Sequence, residues 1–275
     1  MGRKLVSVAE LDRSLNDASV LRALGRIWHE EGYDLVVGQE YSADADVCIL
    51  HHDRSILDAA RLPEPPPSKR VVNGGVLDIS KRRYSVLAVK PDDRWSGPVI
   101  VKTNLNHFGI PERQFGGRLP IGRRLRARVA RRAWRIARML PDRRYPVLER
   151  ISKVPGWVWR SPDLIVEKFM PERDGDFYCL RGWLFLGSRG YAYRMVAADP
   201  MVKTGTMIRY EIFEDAPPEM HAMREQLGFD YGKFDYVVHD DRPILLDANK
   251  TPTFRGDPDS PHLRELAMGI EEFLS

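Results

Sequence analysis

Residues 234–249, FDYVVHDDRPILLDAN, read as two apolar strands joined by a short polar turn. Val237 and Val238, then Ile244, Leu245 and Leu246, are strand-like runs, and the His239 to Pro243 segment between them is turn chemistry. If the turn centres on Asp240 and Asp241, Asp235 lies nearly opposite Asp247 across the antiparallel pair. Asp247 and Asn249 are two apart on one strand and share a face. Three oxygen-bearing side chains thus converge at the end of a sheet, a donor set that suits Mg²⁺. The plain alternative is a surface hairpin with solvated carboxylates. Against it stands the apolar run leading into Asp247, because a strand this apolar is buried and buried carboxylates need a counter-charge.

The chain has 275 residues, 43% of them apolar and 30% charged, as expected of a globular protein with a substantial core. No apolar run approaches the roughly 20 residues that span a bilayer. The N-terminus lacks a secretory hydrophobic stretch, so the expected location is the cytoplasm. Cys48 and Cys179 have neither disulfide-framework nor metal-ligand spacing and read as buried thiols. The net charge of +4 is unevenly spread. Residues 112–150 hold 13 arginines against three acids, a local +10, and the rest of the chain is at −6.

Residues 1–69 read as a small α/β unit, with a helix from Ser19 to Glu31 and strands at 34–37 and 46–50. The proline-rich run LPEPPPS at 62–68 marks the expected boundary, and residues 70–275 form the second expected domain. In that domain strands are expected at 85–89, 98–102, 164–169, 177–186 and 191–196. Residues 103–117 look like a loop, and an arginine-rich helix runs from about 122 to 140. An amphipathic helix from His262 to Leu274 closes the chain.

Three further features bear on nucleotide chemistry. VIVK (99–102) is an apolar strand ending in a lysine beside an Asn- and Gly-rich loop, which can grip phosphate or merely snorkel. LIVEKFMPE (164–172) is a strand broken by proline, leaving backbone groups past Lys168 that can read a purine edge or simply end a strand. Arg181 is the lone cation inside FYCLRGWLFL (177–186) and meets either an anionic ligand or an internal carboxylate.

In this order, VIVKTNLNHFG, LIVEKFMPE, DFYCLRGWLF and FDYVVHDDRPILLDANKTP resemble the ATP-grasp superfamily over about residues 70–255, with the preceding unit similar to its small N-terminal domain. The resemblance implies an α/β (α+β) fold of two subdomains clasping ATP, a lid subdomain at about 98–168, and two Mg²⁺ ions. It implies that Lys81 and Lys102 contact phosphate, with Asn104 opening a flap that runs to Gly117. Glu167, Lys168 and Phe169 would read adenine and Glu172 the ribose. Asp235, Asp247 and Asn249 would hold the metal, with Asp247 standing where the family more often has glutamate. Arg181 would steady the transferring phosphoryl group, and Lys203, in DPMVKTG (199–205), would contact substrate. The implied activity is an ADP-forming ligase that activates a carboxylate as an acyl phosphate and joins it to an amine. The alternatives are a kinase using the same site and a non-catalytic nucleotide-binding regulator.

The arginine helix carries an apolar stripe of Leu125, Val129, Ile136 and Leu140. Its other surface is either a solvated lid or a dock for an anionic substrate, carrier protein or membrane. Nucleic acid ranks last, because base-stacking motifs are absent. Partners implied by the resemblance are small-molecule or peptide carboxylates and amines. The short N-terminal unit leaves room for a second copy, as a homodimer, to complete the acceptor pocket.

Overall fold

The computed structural model describes residues 2–115, 121–141 and 144–274, apart from the side chains of residues 107, 113–115, 121, 123–125 and 204. In chain order the regular elements begin with β1 (Lys4–Glu10), α1 (Val20–Glu30), β2 (Tyr33–Gly38), β3 (Val47–His51) and β4 (Val71–Val72). Next come α2 (Lys81–Tyr84), β5 (Val99–Thr103), α3 (Ile110–Phe115), α4 (Ile121–Ala137), β6 (Val147–Leu148), α5 (Gly156–Trp159) and β7 (Leu164–Lys168). The remainder are β8 (Glu172–Asp174), β9 (Phe177–Leu186), β10 (Arg189–Ala197), β11 (Met207–Phe213), α6 (Pro218–Leu227), β12 (Tyr231–His239), β13 (Arg242–Asn249) and α7 (Pro261–Met268).

The chain forms two compact units, one of residues 1–53, 57–77 and 172–275, the other of residues 54–56 and 78–171. In the first unit a parallel sheet of order β2-β1-β3-β4 and a larger sheet of order β11-β10-β9-β12-β13, with β8 on β9, share one core. Val6, Val8 and Ile49 meet Leu24 and Trp28 of α1, Leu263 and Leu266 of α7, and Leu184 and Leu186 of β9. Trp28 also donates its indole N–H to the Ala267 carbonyl at 2.8 Å, so its polar edge is satisfied inside that core. The proline-rich run lies within this unit, and the units divide near residues 53–57, 77 and 171. The second unit is built on a three-stranded antiparallel sheet, β6-β5-β7. One face of it, with Val99, Val101 and Val166, packs on Val154, Val158 and partly buried tryptophans.

Helix α1 begins one residue after its expected start, and β9 has the expected bounds. Four expectations are corrected. Residues 85–89 form no ladder beyond an isolated Ala88–Glu167 bridge, although Leu87 and Val89 are buried and hydrogen-bond to β7. The expected loop at 103–117 contains a short 3₁₀ turn at His107–Gly109 and helix α3. Pro111 fits the first helical turn, where its missing N–H costs nothing; Gly116 and Gly117 lie outside the described residues. The arginine helix ends at Ala137, interrupted at Ala133 (φ −136°). Its buried side is Ala130 and Ala137 with Trp134 partly covered, whereas Val129 and Ile136 are exposed, Ile136 by 82%. Trp134 packs on the core of the second unit and edge-on against Trp157, and Leu140, one residue of the expected stripe, packs there too. Leu125 lies outside the described side chains. Finally, the closing helix ends at Met268 and continues as a 3₁₀ turn, Gly269–Phe273.

Candidate functional site

The hairpin β12–β13 closes through a two-residue turn, with His239 paired to Arg242. Its central residues Asp240 and Asp241 both have positive φ (48° and 59°), the pattern of a type I′ turn whose twist matches the strands. Continued without interruption, this register would set Asp235 against Leu246. A bulge between Asp235 and Tyr236 shifts the ladder by one, so Asp235 faces Asp247 and Lys233 faces Asn249. All four side chains therefore share one face of the sheet.

Lys233 was not anticipated as a site residue. Its ammonium lies 3.0 Å from Oδ2 of Asp235. Burial alone would lower the Lys233 pKa, but Asp235, Tyr193 and Asp247 push it up beyond that, so the group is cationic. The period-2 rule applied to Lys233-Phe234-Asp235 would have placed this lysine beside the carboxylates. Tyr193 reaches the same cluster because β9 carries Gly182 between β10 and β12. A Cβ at Gly182 would fall 2.2 Å from Cζ of Tyr193. Asn249 is held by the Thr251 N–H, which donates to its Oδ1 at 2.8 Å, and the Thr251 hydroxyl donates to Asp53 at 2.6 Å. Two carboxylates and an amide oxygen on one face form a hard-oxygen donor set that fits Mg²⁺ with water and phosphate completing its shell.

Arg181 and Glu172 lie on the other face of this sheet, because Arg181 pairs with Tyr236 while Gly182 pairs with Asp235. They bind each other. Arg181 donates from Nε and Nη2 to Glu172 at 2.8–3.0 Å, and Glu172 also accepts the Val238 N–H at 2.8 Å. The hydrogen bond and charge of Glu172 raise the Arg181 pKa. The internal carboxylate is thus the partner found for Arg181. Lys203 is exposed at the start of a 3₁₀ turn, its backbone tied to Thr206.

The second unit gathers another group. Lys102 and Glu167 point to the same side of β5 and β7 and form a buried ion pair with Nζ and Oε2 2.7 Å apart. Lys81 is buried at the start of α2, its N–H donating to the Asn104 carbonyl and its ammonium 3.5 Å from the Leu105 carbonyl. Asn104 Oδ1 accepts the Arg82 N–H at 2.9 Å, tying α2 to the end of β5. At the end of β7 and just past it, the Lys168 and Phe169 N–H groups donate to the carbonyls of Leu87 and Pro98. The Lys168 ammonium sits 5.2 Å from the Trp95 ring centre.

Comparison with known proteins places the fold. No sequence family matches the chain. No curated protein matches it in sequence. Among solved structures, the ATP-grasp ligase PsnB complexed with a minimal precursor superposes with a TM-score of 0.53 at 12% identity, covering 99% of this chain and 100% of that one. A RimK domain ATP-grasp protein from Sphaerobacter thermophilus gives 0.51 at 14% identity, covering 98% and 99%. A RiPP-associated ATP-grasp ligase from Chryseobacterium gregarium, in complex with ADP and leader and core peptides, gives 0.50 at 9% identity, covering 98% and 97%. The chain has the ATP-grasp fold, of mixed α and β composition, over nearly its whole length.

Proposed function

We propose that the protein is an ATP- and Mg²⁺-dependent ligase that joins a carboxylate to an amine, with a peptide as at least one substrate. The observation that carries this reading is the face of the β12–β13 hairpin, where Lys233, Asp235, Asp247 and Asn249 stand together in an ATP-grasp fold. Peptide substrates are supported by the structural neighbours bound to precursor, leader or core peptides.

In the proposed reaction a substrate carboxylate oxygen attacks the γ-phosphorus of ATP and ADP leaves. The amine then attacks the acyl-phosphate carbonyl, inorganic phosphate departs, and the amine gives up a proton. Mg²⁺ held by Asp235, Asp247 and Asn249 would neutralise charge on the phosphates. Lys233 adds a fixed positive charge on the same face. Lys102 and Lys81 would bind phosphate, with Glu167 orienting Lys102 through their ion pair. Backbone carbonyls of the 167–169 segment would take the adenine amino group. Arg181 and Glu172 would then support the sheet from its other face, and Lys203 would meet the substrate from its exposed position.

Hydroxylamine trapping tests the proposal. Protein, ATP and Mg²⁺ are incubated with pools of acidic peptides, amino acids and small acids. A hydroxamate together with ADP is the expected result. ADP with a stable phosphorylated product and no hydroxamate would replace the ligase by a kinase. Absence of ADP with every pool would leave a nucleotide-binding regulator.

A further inference from the structure

Strand β11, Met207–Phe213, forms one end of the large sheet of the first unit and pairs only with β10 among the described residues. Its pairing with β10 is interrupted by a bulge at Ile208 and is regular from Arg209 to Phe213. Its sequence, MIRYEIF, contains no proline and no lysine, and it is seven residues long. Ile208, Tyr210, Ile212 and Phe213 are exposed by 59, 44, 42 and 38%. Exposed apolar side chains beside unpaired backbone donors and acceptors template the addition of another strand.

The order of residues says which strand. MIRYEIF is a palindrome in chemical character, running apolar, apolar, cation, aromatic, anion, apolar, apolar. When such a strand meets an antiparallel copy of itself about Tyr210, Arg209 falls opposite Glu211 of the second copy, and Glu211 opposite its Arg209. Ile208 then faces Ile212, Met207 faces Phe213, and Tyr210 faces Tyr210. Tyr210 and Ile212 lie on one face and the charged pairs on the other, so the central pairs do not mix the two. A slip of two residues in either direction sets Arg209 against Arg209 or Glu211 against Glu211, which like-charge repulsion disfavours. A slip of one residue sets side chains from opposite faces against each other.

The neighbouring strand supports the same geometry. Tyr210 stacks 5.4 Å from Tyr193, which lies 6.5 Å from Tyr191, so a second Tyr210 would extend an existing row of rings. Arg209 and Glu211 are already held in position, Arg209 by Asp174 and by Glu211 at 2.9 Å, and Glu211 by Arg194 at 2.8 Å.

We propose that two copies of this chain join through β11 in antiparallel register centred on Tyr210, extending the sheet across a twofold axis. Apolar pairs supply the attraction, and the Arg209–Glu211 pairs select the register.

Cysteine cross-linking and charge exchange test it on the full chain. Opposed residues on antiparallel strands have Cβ atoms about 4.5–5.5 Å apart, close enough for modest adjustment to form a disulfide. Tyr210→Cys should give a covalent dimer under mild oxidation. Ile208→Cys alone should not, because its counterpart lies opposite Ile212, whereas Ile208→Cys with Ile212→Cys should. Cys48 and Cys179 are buried and do not compete. In sedimentation experiments Arg209→Glu and Glu211→Arg should each weaken the dimer about tenfold or more, and the double exchange should recover most of the loss. Circular dichroism of each variant separates lost pairing from lost folding. A folded wild-type protein that stays monomeric at all concentrations, with no Tyr210→Cys cross-link, would overturn the proposal. Equal cross-linking by Ile208→Cys alone would overturn the register.

Discussion

Oε2 of Glu167 lies 2.7 Å from the Lys102 ammonium, and the Glu167 side chain is almost wholly buried. Both residues are expected to meet nucleotide, yet each is also the other's counter-charge. Lys102→Met should therefore cost about 3–5 kcal/mol of stability, since it strands a buried carboxylate. Adding Glu167→Leu should restore most of that stability without restoring ATP affinity. Urea unfolding and nucleotide titration, measured on the same variants, separate the two roles. If the double variant binds ATP normally, Lys102 has no part in phosphate binding.

Asp235→Asn and Asp247→Asn should each abolish Mg²⁺-dependent ATP turnover while the protein stays folded. Each side chain keeps its shape; the change in unfolding free energy should be within about 1–2 kcal/mol for Asp247→Asn and about 3 kcal/mol for Asp235→Asn, which removes the counter-charge of Lys233. Mn²⁺ binding followed by electron paramagnetic resonance should weaken in parallel. Near-normal turnover in either variant would remove the metal assignment.

Gly182→Ala should destabilise the first unit by about 1–3 kcal/mol, because the added methyl meets the Tyr193 ring at an impossible distance. Relief by Tyr193→Leu in the same chain should recover part of the loss. Thermal melts of the two single variants and the double variant read out the coupling. Additive effects would show that the ring does not lie over Gly182.

His51 gives stability a pH dependence. Burial pushes its pKa down from 6.5 to about 4, with Asp12 opposing and Arg22 and Lys250 assisting. Between these values the unfolded chain takes up a proton that the folded protein refuses, so stability falls as the pH drops from about 6.5 to 4. The loss amounts to roughly 3 kcal/mol and is complete below the folded value, where both states are protonated. His51→Asn, which does not titrate, should flatten the urea-derived stability curve in that window. An unchanged slope would assign the acid sensitivity to other groups.

The hairpin was legible because two apolar runs and an Asp-Asp turn leave little choice of partner, and period-2 alternation then sets the faces. The bulge that aligns Asp235 with Asp247 was not legible, since nothing in Leu245-Leu246 distinguishes a bulged leucine from a paired one. Strand β1, KLVSVAE, is too short and lightly bounded to stand out in the sequence, and β11, MIRYEIF, interleaves its apolar residues with charges. Helix α6 was missed although Pro218 opens it and Gly228, in the left-handed conformation, closes it. The arginine helix misled for a different reason. Of the expected stripe Leu140 packs on the core of the second unit beside Trp134, whereas Val129 and Ile136 face solvent because the helix is interrupted at Ala133. For Arg181 the sequence held two readings open, and only coordinates could reveal Glu172 as its partner.

The turn at Asp240 and Asp241 has a consequence for the order of assembly. It joins its strands through two residues, so the acidic pair is brought together by a contact spanning a dozen residues of chain. Hairpins of this kind form in about 1–10 microseconds, well before distant segments meet. Asp235 and Asp247 can thus approach as like charges in a nascent hairpin, with Lys233 the cation beside them on the same face and Arg242 at the turn. The Lys233–Asp235 ion pair offsets part of that repulsion within the hairpin itself.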